Sequence, residues 1–250
     1  MGLIGGALAE GFLRRDGWAL GSGRMDSTAY AGRSKLEVLI GSDVWSLIQG
    51  RTVLDFGCGH GQEAIELAQH GARRVTGVDI VEPLLADARR RASEAGVGDR
   101  CTFATRPGEP ADVIVALDSF EHFADPAEVL RTMHHYLAPG GRVLISFGPT
   151  WYHPLGGHLF SVFPWAHLIF TERALIRWRR TFKTDGATRF SEVEGGLNRM
   201  TIGRFRRLVE ASPLRFVQFE TRPIRPLRLV HNRVTREFTT AIVRCTLVAR

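Results

Sequence analysis

An α/β fold is what this sequence predicts: a mostly parallel sheet with helices packed on both of its faces. Three observations lead there. Short β-branched runs alternate with helical patterns between Arg51 and Phe147, and strands joined by helical crossovers run parallel and become covered on both sides. A glycine triplet follows the first of those runs at once. The chain has 250 residues, 44% of them hydrophobic, which suffices for one large core and makes a single domain the expectation.

The strand-like runs are 51–56, 74–79, 101–105, 112–117 and 142–147, where β-branched and apolar residues dominate. Between them, 62–70, 83–95 and 126–136 read as helices, two of them opened by a proline, which the first helical turn tolerates. Upstream, 34–48 carries apolar residues at helical spacing and is expected to pack near the first strand, close to the mouth of the site. After Phe147 the period breaks. The segment 148–170 is rich in Gly, Pro, His and aromatics, and reads as an insertion or lid over the carboxyl edge of the sheet. A helix over 201–211 capped by Thr201, then strands over 214–220 and 238–248, would finish the sheet. The expected organisation is an N-terminal helical cap (1–50), a ligand-binding core (51–147), a lid carrying the acceptor side (148–200) and a closing helix with strands (201–250).

Composition excludes some classes. No run of about 18 apolar residues exists to span a bilayer, and residues 1–9 lack the basic region and cleavage site of an export signal. Cys58, Cys101 and Cys245 are odd in number and widely spaced, so a disulfide framework is not expected and a reducing cytoplasm fits. Charge is uneven: residues 171–250 hold 18 Arg/Lys against 7 Asp/Glu. Such a face suits nucleic acid, an anionic membrane or an acidic small substrate. Compositional bias is the competing reading, because Lys35 and Lys183 are the only lysines beside so many arginines.

The first strand runs directly into Val53-Leu54-Asp55-Phe56-Gly57-Cys58-Gly59-His60-Gly61. Glycines permit the tight turn and leave no side chain between backbone and ligand. Asp79 ends the second strand 18 residues after Gly61, where an acid is placed to accept hydrogen bonds from ribose hydroxyls.

These residues resemble motif I of the class I S-adenosylmethionine-dependent methyltransferases, a Rossmann-like family. Val75 to Asp79 is similar to its second motif, Asp112 to Asp125 to its strand-four motif with a Glu-His pair, and Leu137-Ala138-Pro139-Gly140-Gly141 to the turn before strand five. The resemblance implies a seven-stranded sheet with the last strand antiparallel. It implies a cofactor site of Asp55, Phe56, Gly57, Gly59 and Gly61 near the methionine part, Asp79 and Ile80 at the ribose, and Leu117, Asp118 and Ser119 near the sulfonium. A pyrophosphate wants helix N–H groups and no nearby acid, whereas a cationic sulfonium with an ammonium group tolerates one, so Asp55 favours S-adenosylmethionine over NAD. One departure is Ala104-Thr105-Arg106-Pro107, where the family often has an acid that reads the adenine amine.

Methyl transfer from a sulfonium is an in-line displacement, so the protein must position the nucleophile and, for a hydroxyl, take its proton. Histidine suits that task. His158 is the first candidate base, His153 the second and His122 the third; His167 and His60 also lie near. Asp118, Glu121 and His122, read as i, i+3 and i+4 on one helical turn, would share a face able to hold a divalent cation. A similar arrangement occurs in some metal-dependent O-methyltransferases and RNA 3′-end methyltransferases, but a metal is not the favoured reading, since a Glu-His pair here also serves capping and packing. Trp151, Tyr152, Phe160, Phe163, Trp165 and Phe170 would enclose the acceptor or simply cover the sheet edge. Arg173, Arg177, Arg179, Arg180 and Lys183 would hold a carboxylate or phosphate on it.

The function expected is S-adenosylmethionine-dependent O-methylation of a small molecule, a natural product, sugar or lipid, with a histidine base. The alternatives are RNA methylation or a non-catalytic nucleoside-binding module. Nucleic acid is disfavoured, because no Pro-Pro-Tyr/Phe segment follows strand four and no cysteine is preceded by proline. The residues do not tell the acceptor atom or the oligomeric state.

Overall fold

The computed structural model describes residues 2–14, 32–157, 163–182, 186–192 and 196–250. The chain opens with α1 (Gly6–Leu13), α2 (Lys35–Leu39) and α3 (Val44–Ile48). The βα alternation follows as β1 (Thr52–Phe56), α4 (Gln62–Gln69), β2 (Arg74–Val78), α5 (Glu82–Glu94), β3 (Cys101–Ala104), β4 (Ala111–Leu117), α6 (Pro126–His135) and β5 (Leu137–Phe147). After it come α7 (Ala166–Ile169), α8 (Glu172–Arg179), α9 (Ile202–Glu210), β6 (Leu214–Pro223), α10 (Arg236–Thr239) and β7 (Thr240–Ala249).

Among the described residues one seven-stranded sheet forms, in the order β3-β2-β1-β4-β5-β7-β6. The pairs β1–β2, β1–β4, β2–β3 and β4–β5 are parallel, and β7 runs antiparallel to both β5 and β6. Alternation along the strands builds two cores, since successive side chains point to opposite faces. Val53, Val113, Val115 and Leu144 meet α2 to α5 on one face; Leu54, Ile114, Ala116 and Ile145 meet α6 and α9 on the other. The helix starts follow from local chemistry. The Asp125 side chain accepts from the backbone N–H groups of Ala127 and Glu128 with Pro126 in the first turn, and Thr201 accepts from Arg204.

Two expectations are corrected. The helical pattern over 34–48 is two short helices, because Gly41 lies at φ +126, a region other residues avoid. The Leu-Ala-Pro-Gly-Gly segment is not a turn before β5 but its irregular first half. Leu137 pairs with Ala111, and the register shifts before Val113 pairs with Arg142. Among the described residues of the first 50, α2 and α3 join a core of the sheet, whereas α1 packs on α8 and Ile4 bridges to Phe170. There Ala9, Leu13, Trp151, Phe170, Leu175 and Phe190 build a third core, separate from those of the sheet.

Candidate functional site

Strands β1 and β4 end side by side in the parallel part of the sheet, and loops at the carboxyl ends of such strands commonly form the ligand crevice. The three glycines after β1 all have positive φ, and their surroundings divide their roles. A Cβ on Gly57 would lie 2.8 Å from that of Ser119, so the turn requires glycine for the close approach of β4's exit. At Gly61 a Cβ would lie 2.6 Å from the Phe103 ring and 2.8 Å from Ala88, so glycine lets α4 pack against the sheet. At Gly59 a Cβ meets nothing within 4 Å. That side faces open space, which leaves the backbone of the loop accessible to a ligand.

Asp79 fixes the loop. One carboxylate oxygen accepts from Gly59 N–H at 2.9 Å, the other from Val81 N–H at 3.0 Å. Its neighbour Ile80 is 89% exposed. Asp55 is buried beneath the loop, and its Oδ2 has no hydrogen-bond partner among the described residues. Burial pushes its carboxyl up to about 8, nearby Glu63 adds to the rise, and Lys35 opposes it. Ser119 donates its hydroxyl to the Phe56 carbonyl at 3.2 Å, Leu117 is buried in the sheet core, and Asp118 sits at φ +47 at the exit of β4.

Lys35, which sequence reasoning passed over, sits among these acids. Its Nζ lies 3.3 Å from Asp118 Oδ2 and 3.4 Å from Glu63 Oε1. Burial pulls its ammonium down, but Asp118 and Glu63 outweigh that and hold it above its ordinary value. The available signal was its being one of two lysines in a chain of arginines, at the start of a helix expected near the site.

The stretch 118–125 is a turn, not a helix, so Asp118, Glu121 and His122 do not share a face. Asp118 meets Lys35; Glu121 is buried and accepts from Gly148 N–H at 3.2 Å; His122 Nδ1 lies 2.7 Å from the Gly196 carbonyl. Among the described residues no three His, Cys, Asp or Glu side chains are placed to hold a metal ion. Burial and then Asp118 push the Glu121 carboxyl up to about 8. Asn198 pins this turn by donating its amide to the Phe120 and Phe123 carbonyls.

His153 Nδ1 accepts from Leu155 N–H at 2.9 Å, and burial, reinforced by His167, pulls the ring down to about 4. Its acceptor nitrogen is thus spent on a turn. His167 is buried with Nε2 on the Trp151 carbonyl at 2.6 Å. His158, Phe160 and Lys183 lie outside the described residues. The aromatic lid is largely a core of its own: Trp151, Phe163 and Phe170 pack in the third cluster, and the Trp165 indole donates to the Tyr152 carbonyl. The arginines separate likewise. Arg179 is buried, Arg177 pairs with Glu10 at 2.6 Å and Arg180 donates to the Ala187 carbonyl. Arg173, Arg177 and Arg180 line a groove of about 640 Å³ together with Gly2, Thr188 and Arg189, and none of the loop glycines or acids borders it.

The sheet order, the antiparallel last strand and the glycine loop with its acids define a class I S-adenosylmethionine-dependent methyltransferase. The chain belongs to the methyltransferase domain family, whose model matches residues 34–212. It is 42% identical over 106 residues to the ubiquinone biosynthesis O-methyltransferase of Pseudomonas paraeruginosa, covering 40% of this chain and 45% of that one. The enzyme of that name from Aeromonas salmonicida is 39% identical over 103 residues, covering 39% and 43%. The chain thus matches less than half the length of these curated relatives. Among solved structures, a methyltransferase from Mesorhizobium loti superposes with a TM-score of 0.52 at 19% identity, over 82% of this chain and 93% of that one. The cyclase SpnF gives 0.54 at 16% identity, over 83% and 79%. These likenesses define the fold; that a cyclase shares it shows that the fold alone does not fix the reaction.

Proposed function

We propose that this chain moves the methyl group of S-adenosylmethionine onto a hydroxyl of a small molecule, a natural product, sugar or lipid, with His122 taking the proton. The observation that carries the donor half is the open side of Gly59 beside Asp79, with Glu63 and Asp118 outnumbering Lys35, the cation between them, and an orphaned carboxylate oxygen of Asp55 buried beneath the loop. Such a site attracts a cation that approaches the backbone closely. S-adenosylmethionine supplies a methyl group on a cationic sulfur, ready for in-line displacement.

Around it the chain's residues do the holding. Asp79 keeps the glycine loop in place and accepts from ribose hydroxyls, while exposed Ile80 offers an apolar edge to the base. Asp55, Glu63 and Asp118 face the methionine end, with Phe56, Leu117 and Ser119 forming its wall. Arg106 stands near where an adenine-reading acid is often found, so adenine is held through backbone and apolar contacts.

His122 is the base in this proposal because it lies in the turn at the exit of β4, four residues after Asp118, with Nδ1 on the Gly196 carbonyl, whereas His153 commits its acceptor nitrogen to Leu155 N–H. An O-methyl product is also what the names of the curated relatives describe for those enzymes. The test is transfer of labelled methyl to a panel of hydroxyl-bearing small molecules. His122→Ala is expected to lower kcat by on the order of 100-fold, with S-adenosylhomocysteine affinity unchanged. Full activity in that variant would remove the base and leave the donor site standing.

A further inference from the structure

The connection between β6 and β7, residues 224–239, is turned inside out. Several of its polar groups are used in hydrogen bonds within the fold. His231 bridges Thr221 and Thr239, the Asn232 side chain accepts from the N–H groups of Val234 and Thr235, and Glu237 accepts from Ile202 and Gly203 N–H. Its apolar side chains point outward: Leu229 is 89% exposed, Val234 86%, and Val230 and Phe238 about half. The internal hydrogen bonds hold those side chains in water, a placement that marks an interaction surface.

Charge identifies the occupant. Arg225, Arg228 and Arg233 are exposed among the apolar residues, and neither they nor half-buried Arg236 forms an ion pair among the described residues. The one acid of the stretch is Glu237, whose carboxylate is already used by α9. We infer that this connection docks the protein on an anionic phospholipid bilayer, with Leu229 and Val234 entering the acyl boundary and the arginines on the headgroup phosphates. Apolar side chains interleaved with unpaired arginines are the composition such an interface selects. A single-stranded nucleic acid would need rings open for stacking; the most exposed side chains, Leu229 and Val234, offer none, and the half-exposed Phe238 ring already packs against Tyr152.

Position gives the docking a consequence. Val243 of β7 pairs with Phe147, so the connection lies beyond the carboxyl end of β5, on the edge that carries the glycine loop. The Phe238 ring packs tilted against Tyr152, centroids 5.2 Å apart, and Thr150 contacts the Glu237 carbonyl. A docked molecule therefore turns the insertion and the carboxyl edge toward the lipid. The docking does not depend on the proposed methyl transfer.

The test is sedimentation of the full chain with vesicles of phosphatidylcholine alone or with one-third phosphatidylglycerol. Binding is expected to the anionic vesicles only and to weaken with salt. Leu229→Ser with Val234→Ser, and separately Arg228→Glu with Arg233→Glu, should each lower partitioning by about tenfold or more, while S-adenosylhomocysteine affinity and circular dichroism stay unchanged. A second readout needs no loss of binding. Cys58, Cys101 and Cys245 are buried, so a polarity-sensitive dye on Leu229→Cys should shift to the blue with anionic vesicles. Three results would overturn the inference: no binding to anionic vesicles, an unshifted dye with the serine pair binding like wild type, or displacement of the vesicles by a single-stranded RNA that the same arginines bind more tightly. A concentration-dependent dimer abolished by the serine pair, without vesicle binding, would likewise assign the patch to a second copy of this chain.

Discussion

Two regions of this molecule are built on opposite terms. From β1 to β5 the chain follows the sheet, and its distinctive chemistry is a set of acids around a glycine loop at one edge. Between β5 and α9, and in α1, side chains turn away from the sheet into a third core of tryptophans, phenylalanines and leucines, edged by arginines, while α9, β6 and β7 return to the sheet. The first region reads as a holder of a cationic donor; the second is where acceptor and surface partners must be decided. The two regions have separate cores, so each should fail separately.

The largest effect expected is within the second region. Phe190, buried in the third core, should cost about 3–5 kcal/mol when cut to alanine. Limited proteolysis should then open the chain after β5 while S-adenosylhomocysteine still binds. Loss of that binding together with the insertion would show one core rather than two.

The glycine loop sharpens the first region. Gly61→Val adds bulk against Phe103 and Ala88 at a positive φ, and should cost about 3 kcal/mol or more by thermal unfolding. Gly59→Ala meets open space and should cost only about 1–2 kcal/mol from its positive φ, yet it puts a methyl group where the proposal places the donor. Its signature is therefore weakened S-adenosylhomocysteine binding in a folded protein. Equal effects at the two glycines would contradict the division of roles.

A smaller effect separates the regions by pH. Asp55 and Glu121 have folded values raised to about 8, so the native state keeps protons that the unfolded chain has lost. Stability from these two falls as pH rises toward 8. His153 and His167 have folded values lowered to about 4 from 6.5, so stability from them is lost as pH falls through that window. The two slopes oppose each other below pH 6.5; above it only the acids act. The Tm of the ligand-free protein should decline between pH 6.5 and 8, and Asp55→Asn should flatten that decline.

Legibility in the sequence followed the same divide. The strands of the first region are readable because parallel strands buried on both faces are unbroken apolar runs, and the starts of α6 and α9 because Asp125 and Thr201 are strong caps. Asp55, Gly57 and Asp79 stood in a fixed pattern along one βα unit. What failed needed tertiary context. The metal triad assumed a helix where Asp118 takes a positive φ, and no local signal shows that His153 spends its lone pair on Leu155. Trp151 and Phe170 read as lid residues because aromatic residues near an edge look alike whether they face a ligand or one another. Lys35 was invisible as a site residue because its partners, Glu63 and Asp118, lie 28 and 83 positions away.

The most direct measurement of the central claim is calorimetric titration of the chain with S-adenosylmethionine near pH 7, in buffers of different ionisation enthalpy, with NADH as comparison. The acid cradle predicts saturable binding of the methyl donor and none of NADH. It also predicts proton release on binding, because a cation beside Asp55 favours its ionised form, and a marked reduction of that release in Asp55→Asn. Absence of donor binding, or binding whose proton release is identical in wild type and Asp55→Asn, would contradict the assignment.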